Sequence, residues 1–369
     1  MSEHVYNLAK SLKELNQEIT ILTTKFPHFE PMQSKSPEPA NVYRFGKALL
    51  VPMNLSYATL PFGVRLPAQV ANFFKTHQFD IVHCHGLFWP EISYWALRYS
   101  RATNLITFLT AGFKIHKRGG RIFRFLFRDE INKIHGKIAI SRRAQAAIEP
   151  YLPGEYRIIP SGVDLRKFHP EVQPVLKKRP KEKVVLFVGR LDKRKGLEVL
   201  IQALPLVKMR VADVRLVAIG KGARERECRQ LVKRLGLEDV VEFIGGVDAE
   251  RLPGYYRSAD VYCSPALGGE TQGVVLLEAM ACGVPVVASK IPGYDETIRD
   301  NIDGILFPLG DINALADCIV KVLTDEELRN RLIANGLKRV RDYAWPIIAK
   351  KTLDYYQELL AVRKQDICD

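Results

Sequence analysis

Paired cysteines are missing from this chain. Its six cysteines, Cys84, Cys228, Cys263, Cys282, Cys318 and Cys368, share no short paired spacing, so the sequence encodes neither a zinc site nor the disulfide framework of a small secreted domain. Reduced thiols in a cytoplasmic protein are the expectation. A long apolar run is missing too: the longest, Gly273 to Ser289, carries Glu278 and is broken by Gly283 and Pro285, too short and interrupted to span a bilayer. Met1 to Leu15 mixes charged and apolar residues too evenly for a secretory signal, and no short internal repeat is present. Acidic residues are scarce, 41 Asp and Glu against 55 Lys and Arg, for a net charge of +14. Such a balance implies an anionic partner, whether nucleic acid, an anionic membrane or a polyphosphate. No recognisable module of stacking aromatics accompanies the charge, which argues against nucleic acid.

What is present reads as a soluble globular chain. Its 369 residues, 47% hydrophobic and 26% charged, suffice for two domains, each with its own core. The chain is organised around Pro265 to Pro285, a glycine-rich loop running into a short helix. Gly273 opens the helix, Val274 to Cys282 is apolar on most sides, and Gly283 then Pro285 stop it. A helix N-terminus presents unpaired backbone N–H groups and the positive end of its dipole, which suits a phosphate. Glu270 and Glu278 frame the loop, and an ionised carboxylate can accept from two neighbouring sugar hydroxyls. Phosphate plus sugar hydroxyls is the ligand this stretch suggests, against the plainer reading of a helix cap and a surface charge.

Glu270, seven residues, then Glu278 followed by Ala279-Met280-Ala281-Cys282-Gly283-Val284-Pro285-Val286-Val287-Ala288-Ser289 resembles the donor-site signature of retaining nucleotide-sugar glycosyltransferases of the GT-B fold, family four. Within that family it is most similar to the phosphatidylinositol mannosyltransferase group. The resemblance implies an α/β fold of two Rossmann-like domains facing an inter-domain cleft. Residues 1–168 would form the acceptor domain, 169–345 the nucleotide-sugar domain, and 346–369 a helix crossing back to the first. Relatives begin with a strand and a Gly-Gly loop just before the residues matching Glu3-His4-Val5. The sequence lacks both, so a gap in the first sheet is expected. A shortened N-terminus or a protein that has lost catalysis would each account for it.

Along the chain, His4 to Leu15 reads as an amphipathic helix and Glu18 to Thr24 as a strand. Gln33 to Ala40, with three prolines, reads as a loop. Asp80 to Gly86 is a buried strand ending at a turn, with His83 and His85 on one face and Cys84 on the other. His85 is either a crevice residue near the acceptor, as in relatives, or a hydrogen-bonded structural histidine. A metal reading of the pair lacks further ligands. Asn104 to Leu109 follows, and relatives carry a histidine where this chain has Leu109, a contact that is either lost or supplied elsewhere, with His116 in the next loop the candidate; Lys114 in that loop is a further acceptor or membrane candidate. Beyond Gly120, Arg121, Arg124 and Arg128 recur at helical spacing among Ile122, Phe123, Phe125, Leu126 and Phe127. The pattern fits an interfacial membrane helix or a core helix with a solvated arginine edge equally well. Glu171 to Lys183 reads as the linker. Val184 to Val188 opens the second domain and leads into Arg190 and Lys195, a planar fork and a point charge for a pyrophosphate. Gly220-Lys221-Gly222 is weak by itself. By resemblance, the loop at Val247 holds the base. Asp311 caps another helix, and Ala349 to Val362 is the terminal one.

By resemblance Arg190 and Lys195 stabilise the departing diphosphate with the N–H groups of Gly273, Val274 and Val275, Glu270 holds the sugar, and Glu278 the ribose. The expected activity is transfer of a hexose, mannose from GDP-mannose first, to a lipid or glycan acceptor at the inner membrane face. No metal or other cofactor is required. A UDP-sugar enzyme, or a non-catalytic nucleotide-sugar-binding homologue, is the alternative. A hydrolase pair is disfavoured: on one helix the two glutamates would lie about 12 Å apart, eight steps of about 1.5 Å, beyond the roughly 5–9.5 Å of such pairs.

Overall fold

From residue 183 onward, short runs rich in Val, Ile and Leu alternate with helical segments, a pattern that builds parallel strands covered on both faces. The computed structural model describes residues 2–25, 40–53, 56–63, 65–86, 91–110 and 124–368. They divide into two compact units, Met1–Ser161 with Trp345–Asp369, and Gly162–Ala344.

The second unit carries a six-stranded sheet in the order β10-β9-β8-β11-β12-β13. Its strands are β8 (Lys183–Val188), β9 (Val214–Ile219), β10 (Val241–Gly245), β11 (Val261–Ser264), β12 (Val286–Ser289) and β13 (Ile305–Phe307). All five pairings are parallel. Renumbered from one, the order is the doubly wound 3-2-1-4-5-6, whose direction of winding reverses between β8 and β11. Successive side chains of β8 alternate faces: Val185 and Phe187 pack with the Leu197–Lys208 and Ile312–Thr324 helices, Val184 and Leu186 with the Val274–Ala281 helix. Asp311 caps the Ile312–Thr324 helix as expected, its carboxylate accepting from Ala314 N–H at 2.9 Å.

Residues 162–168 pack with the second unit, whose core buries Val163 and Phe168. One reading of the sequence is corrected here. Glu171 to Lys183 is no loose linker but a strap on the same unit. Ser258 Oγ accepts the N–H groups of Val175 and Leu176 at 2.9 and 3.0 Å, and Arg257 donates to the Pro170 carbonyl. Proline and lysine content describes the strap's lack of regular structure but not its anchoring.

Among the described residues of the first unit the strands form two sheets. β1 (Thr20–Lys25), β2 (Asn41–Met53) and β3 (Ser56–Phe62) form one. β4 (Ile81–His85), β5 (Thr103–Phe108), β6 (Ile134–Ala139) and β7 (Arg157–Ile158) form the other, all parallel. Among the described residues no strand joins β1 to β4. The four-stranded piece is covered on one face by Leu8 and Leu12 of the Ser2–Glu14 helix and by Trp345, Ile348 and Ala349 of the Trp345–Cys368 helix, which extends beyond the expected Ala349 to Val362. Cys84, Leu97, Ile106, Phe108 and Ile148 fill the other face. Residues 33–39, read as loop, lie outside the described residues.

A histidine cluster closes the first face. The rings of His83 and His85 are 4.3 Å apart, and His4 lies 5.4 Å from His85 and 5.2 Å from Trp345. His83 bonds the Tyr356 and Thr107 hydroxyls at 2.7 and 2.6 Å, and His4 bonds Ser161 Oγ at 3.0 Å. Burial lowers His4 to about 4 and His83 to about 3, the latter helped by the His4 charge, and holds His85 well below its ordinary range. In the unfolded chain these imidazoles take up protons near pH 6.5, and in the native chain they do so only below about 4. Stability is therefore full above pH 6.5 and falls as the pH drops towards 4, by on the order of 3 kcal/mol for His4. Urea unfolding of the first unit between pH 7 and 4.5 should show this decline; a flat profile would mean the rings are solvated.

Candidate functional site

In a doubly wound sheet, ligands bind beyond the carboxyl ends of the strands where the winding reverses. Here that point lies between β8 and β11, and the loops leaving these two strands carry Arg190, Lys195, Glu270 and Gly273.

The loop after β8 is fixed by its neighbours. Gly220, at φ +137°, lies so close that a Cβ there would fall 1.8 Å from the Gly189 carbonyl oxygen, and one on Gly222 would fall 2.2 Å from that of Leu191. Leu191 N–H donates to the Lys221 carbonyl at 3.0 Å, and Arg224 N–H to that of Leu191 at 2.8 Å. The Gly220-Lys221-Gly222 segment thus braces the Arg190 loop, a role its pattern alone did not reveal. Asp192 then caps the Lys193–Lys195 turn, accepting from Lys195 N–H. Its other oxygen meets Arg190 Nη2 at 3.0 Å.

The loop after β11 is laced to this one. Leu267 N–H donates to the Arg194 carbonyl at 2.8 Å, and Gly196, at φ +71°, leaves no room for a Cβ against the Pro265 carbonyl. Glu270, 8% exposed, is held by two cations on one oxygen: Arg194 Nη1 at 2.5 Å and Lys195 Nζ at 2.9 Å from Oε1. Arg194 also donates to the Gly269 carbonyl at 2.9 Å. Arg194 is the residue that sequence reasoning passed over, since in Lys193-Arg194-Lys195 nothing but the turn geometry distinguishes the middle cation.

Gly273 takes φ 81° as the N-cap of the Val274–Ala281 helix. A Cβ there would lie 2.5 Å from the Tyr294 ring, so only glycine lets the chain turn into the helix at this point. Val274 and Val275 place the first N–H groups at the helix end, and Leu276 N–H bonds the Gly273 carbonyl at 2.9 Å. The far end closes with Gly283 N–H to Met280 and Val284 N–H to Ala279, a Schellman turn around the Gly283 that the sequence marks as a stop. Tyr294 is fixed beneath by Ser264 Oγ at 2.7 Å. Burial, reinforced by Glu270, pushes its phenol well above the ordinary range, so it remains a neutral hydroxyl.

Glu278 is buried on the helix and accepts from Tyr256 OH at 2.8 Å through Oε2. Val247 follows β10 and packs against the core on the Val274–Ala281 side. In the first unit, His85 ends β4 inside the histidine cluster, and Leu109 packs against Ala139, Ile140 and Ala144. Lys114, His116 and Arg121 lie outside the described residues. Arg124 and Arg128 do not share one helix: Phe127, at φ −113° and ψ 23°, precedes a separate Arg128–Ile131 turn. Phe125 and Leu126 are 81% and 64% exposed, which overturns the core-helix reading for these two side chains. Phe127 packs on Tyr94. Among the described residues no cluster of His, Cys, Asp or Glu could hold a metal, and no helix is long and apolar enough to cross a membrane.

Residues 1–167 match the family described as "Glycosyltransferase Family 4" and residues 169–339 that described as "Glycosyl transferases group 1". The chain is 35% identical over 359 residues to "Phosphatidyl-myo-inositol mannosyltransferase" of Mycobacterium leprae, covering 97% of this chain and 92% of that one. It is 32% identical over 58% of each chain to "GDP-mannose-dependent alpha-(1-6)-phosphatidylinositol monomannoside mannosyltransferase" of Mycobacterium tuberculosis. Among solved structures it is similar to sucrose-phosphate synthase from Thermosynechococcus elongatus, with a TM-score of 0.73, 26% identity, and 97% of this chain and 93% of that one covered. The chain therefore belongs to glycosyltransferase family four and has its GT-B fold.

Proposed function

We propose that this protein is a retaining hexosyltransferase that moves mannose from GDP-mannose to a phosphatidylinositol-type lipid, working as a peripheral protein at the cytoplasmic face of the membrane. The observation that carries the reading is the Lys195–Glu270 ion pair between the loops that leave β8 and β11 at the winding reversal of the second sheet, with Arg190 on the first loop and the Gly273 helix end following the second. The names of the mannosyltransferase relatives support the donor and the lipid.

The donor diphosphate lies against Arg190, Lys195 and the N–H groups of Val274 and Val275. These fixed dipoles and charges stabilise the leaving diphosphate without having to reorganise during reaction. Glu270 accepts hydroxyls of the sugar, and Glu278, oriented by Tyr256, accepts those of the ribose. Val247 borders the base. The acceptor hydroxyl attacks from the leaving-group face, and a phosphate oxygen takes its proton, so the chain supplies no covalent nucleophile. Because cations already meet the diphosphate, the reading requires no metal.

Acceptor contact falls to the first unit, with His85, Lys114 and His116 on the acceptor side. Arg121, Arg124 and Arg128 are assigned to anionic head groups, a use suited to the guanidinium fork. Phe125 and Leu126 provide the apolar insertion that an interfacial segment needs.

Purified protein with phosphatidylinositol vesicles should transfer sugar from GDP-mannose in preference to UDP-glucose or UDP-N-acetylglucosamine. Preference for a UDP-sugar would overturn the donor, and donor binding without transfer would favour a non-catalytic homologue. Glu270→Gln keeps the side chain's shape but removes its charge, and should lower kcat by about a hundred- to a thousandfold while GDP affinity changes little. An unchanged kcat would remove Glu270 from the site. Replacing Phe125 and Leu126 together by Ser should weaken co-sedimentation with anionic vesicles by about tenfold or more, from roughly 1.5–3 kcal/mol per buried large apolar side chain. Equal sedimentation would place membrane contact elsewhere.

A further inference from the structure

Two cations meet on one carboxylate oxygen in this site, and the reaction needs one of them for something else. Lys195 Nζ lies 2.9 Å from Glu270 Oε1, and Lys195 is also a cation for the diphosphate in the function proposed above. A doubly charged phosphate group competing for that ammonium leaves Arg194 as the cation on Glu270. We infer that Arg194 is the positioning residue that keeps Glu270 aimed at the donor sugar while Lys195 serves the diphosphate. The inference rests on the proposed nucleotide-sugar reading.

The geometry gives Arg194 little freedom to follow Lys195. Its guanidinium is tied to the same loop twice, through the Gly269 carbonyl at 2.9 Å and Glu270 Oε1 at 2.5 Å. Its backbone carbonyl accepts from Leu267 N–H at 2.8 Å. Gly269, at φ +71°, lies so close that a Cβ would fall 2.6 Å from Arg194 Cδ, so the side chain runs flat along the loop's backbone. Lysine, by contrast, is a point charge on a flexible stem and can change partner, whereas Arg194 Nη1 donates to two acceptors of one loop at once. Both cations use Oε1, which leaves Oε2 to accept a ligand hydroxyl.

A residue acting through Glu270 affects the sugar more than the nucleotide. Arg194→Ala should weaken GDP-mannose binding and lower kcat by about ten- to a hundredfold, the loss expected for a charge-assisted bond, while GDP affinity, which loses only the screening of Glu270, falls by clearly less, about severalfold at most. Arg194→Lys restores the charge but not the bond to the Gly269 carbonyl, and should recover part of the loss. The double variant Arg194→Ala with Glu270→Gln should be no worse than Glu270→Gln alone, because the arginine then has nothing left to position. Equal weakening of GDP and GDP-mannose would make Arg194 a direct diphosphate ligand and overturn the inference, as would additive losses in the double variant. Should the parent protein bind GDP but no nucleotide sugar, the underlying reading fails, and the inference with it. If the parent prefers another donor, the same comparison is made with that donor and its own nucleoside diphosphate.

Discussion

The bond from Leu267 N–H to the Arg194 carbonyl joins two loops that leave different strands, and the chemistry of the second unit depends on that joint. Without it, the cations after β8 and the carboxylate after β11 would belong to separately moving segments. With it, and with Gly196 set against the Pro265 carbonyl, the two loops form one surface whose charges keep fixed separations. Such fixation is what an electrostatic catalyst requires, since dipoles that must reorient during reaction forfeit most of their benefit. The glycines at 196, 220, 222 and 269 serve the same end: each lets backbone approach a neighbour more closely than any side chain permits.

The second unit was largely legible in the sequence because its signals are local. Apolar runs mark strands buried on both faces, Gly273 and Gly283 bracket a helix, and Asp311 caps another. The Glu270 and Glu278 spacing, with the resemblance it carries, points to the loop that follows β11. What stayed hidden was decided by tertiary contact. Lys193, Arg194 and Lys195 are interchangeable as a basic triplet until a single turn aims the last two at Glu270. The strap at Glu171 to Lys183 looked like a linker because its anchor, Ser258, lies more than 80 positions later in the chain. Tyr256 and Tyr294 were unremarkable tyrosines until their hydroxyls reached Glu278 and Ser264.

The first unit shows the opposite balance. Its helices and strands follow their periodicities. The packing at atomic scale could not be anticipated from them. With β1 and β4 in separate sheets, one face of the four-stranded piece is closed by His4, His83 and His85 packed ring against ring. Imidazoles packed this closely must stay neutral, since each would repel its neighbour's charge and burial disfavours all three charges. His83 ties the sheet to the terminal helix through the Tyr356 hydroxyl.

Pairing cations with carboxylates inside a site is a poor way to gain stability. Lys195 and Glu270 are 14% and 9% exposed, and withdrawing both from water costs much of what their attraction returns. The pairing is better understood from the ligand's side. In the proposed site a carboxylate that accepts sugar hydroxyls would stand next to a dianionic diphosphate and repel it. Arg194 and Lys195 on Glu270, with Arg190 beside Asp192, set three cations against two carboxylates and keep the local balance positive. On the proposed reading one site can then accept hydroxyls and bind phosphate together, because Arg194 keeps Glu270 neutralised while Lys195 serves the phosphate.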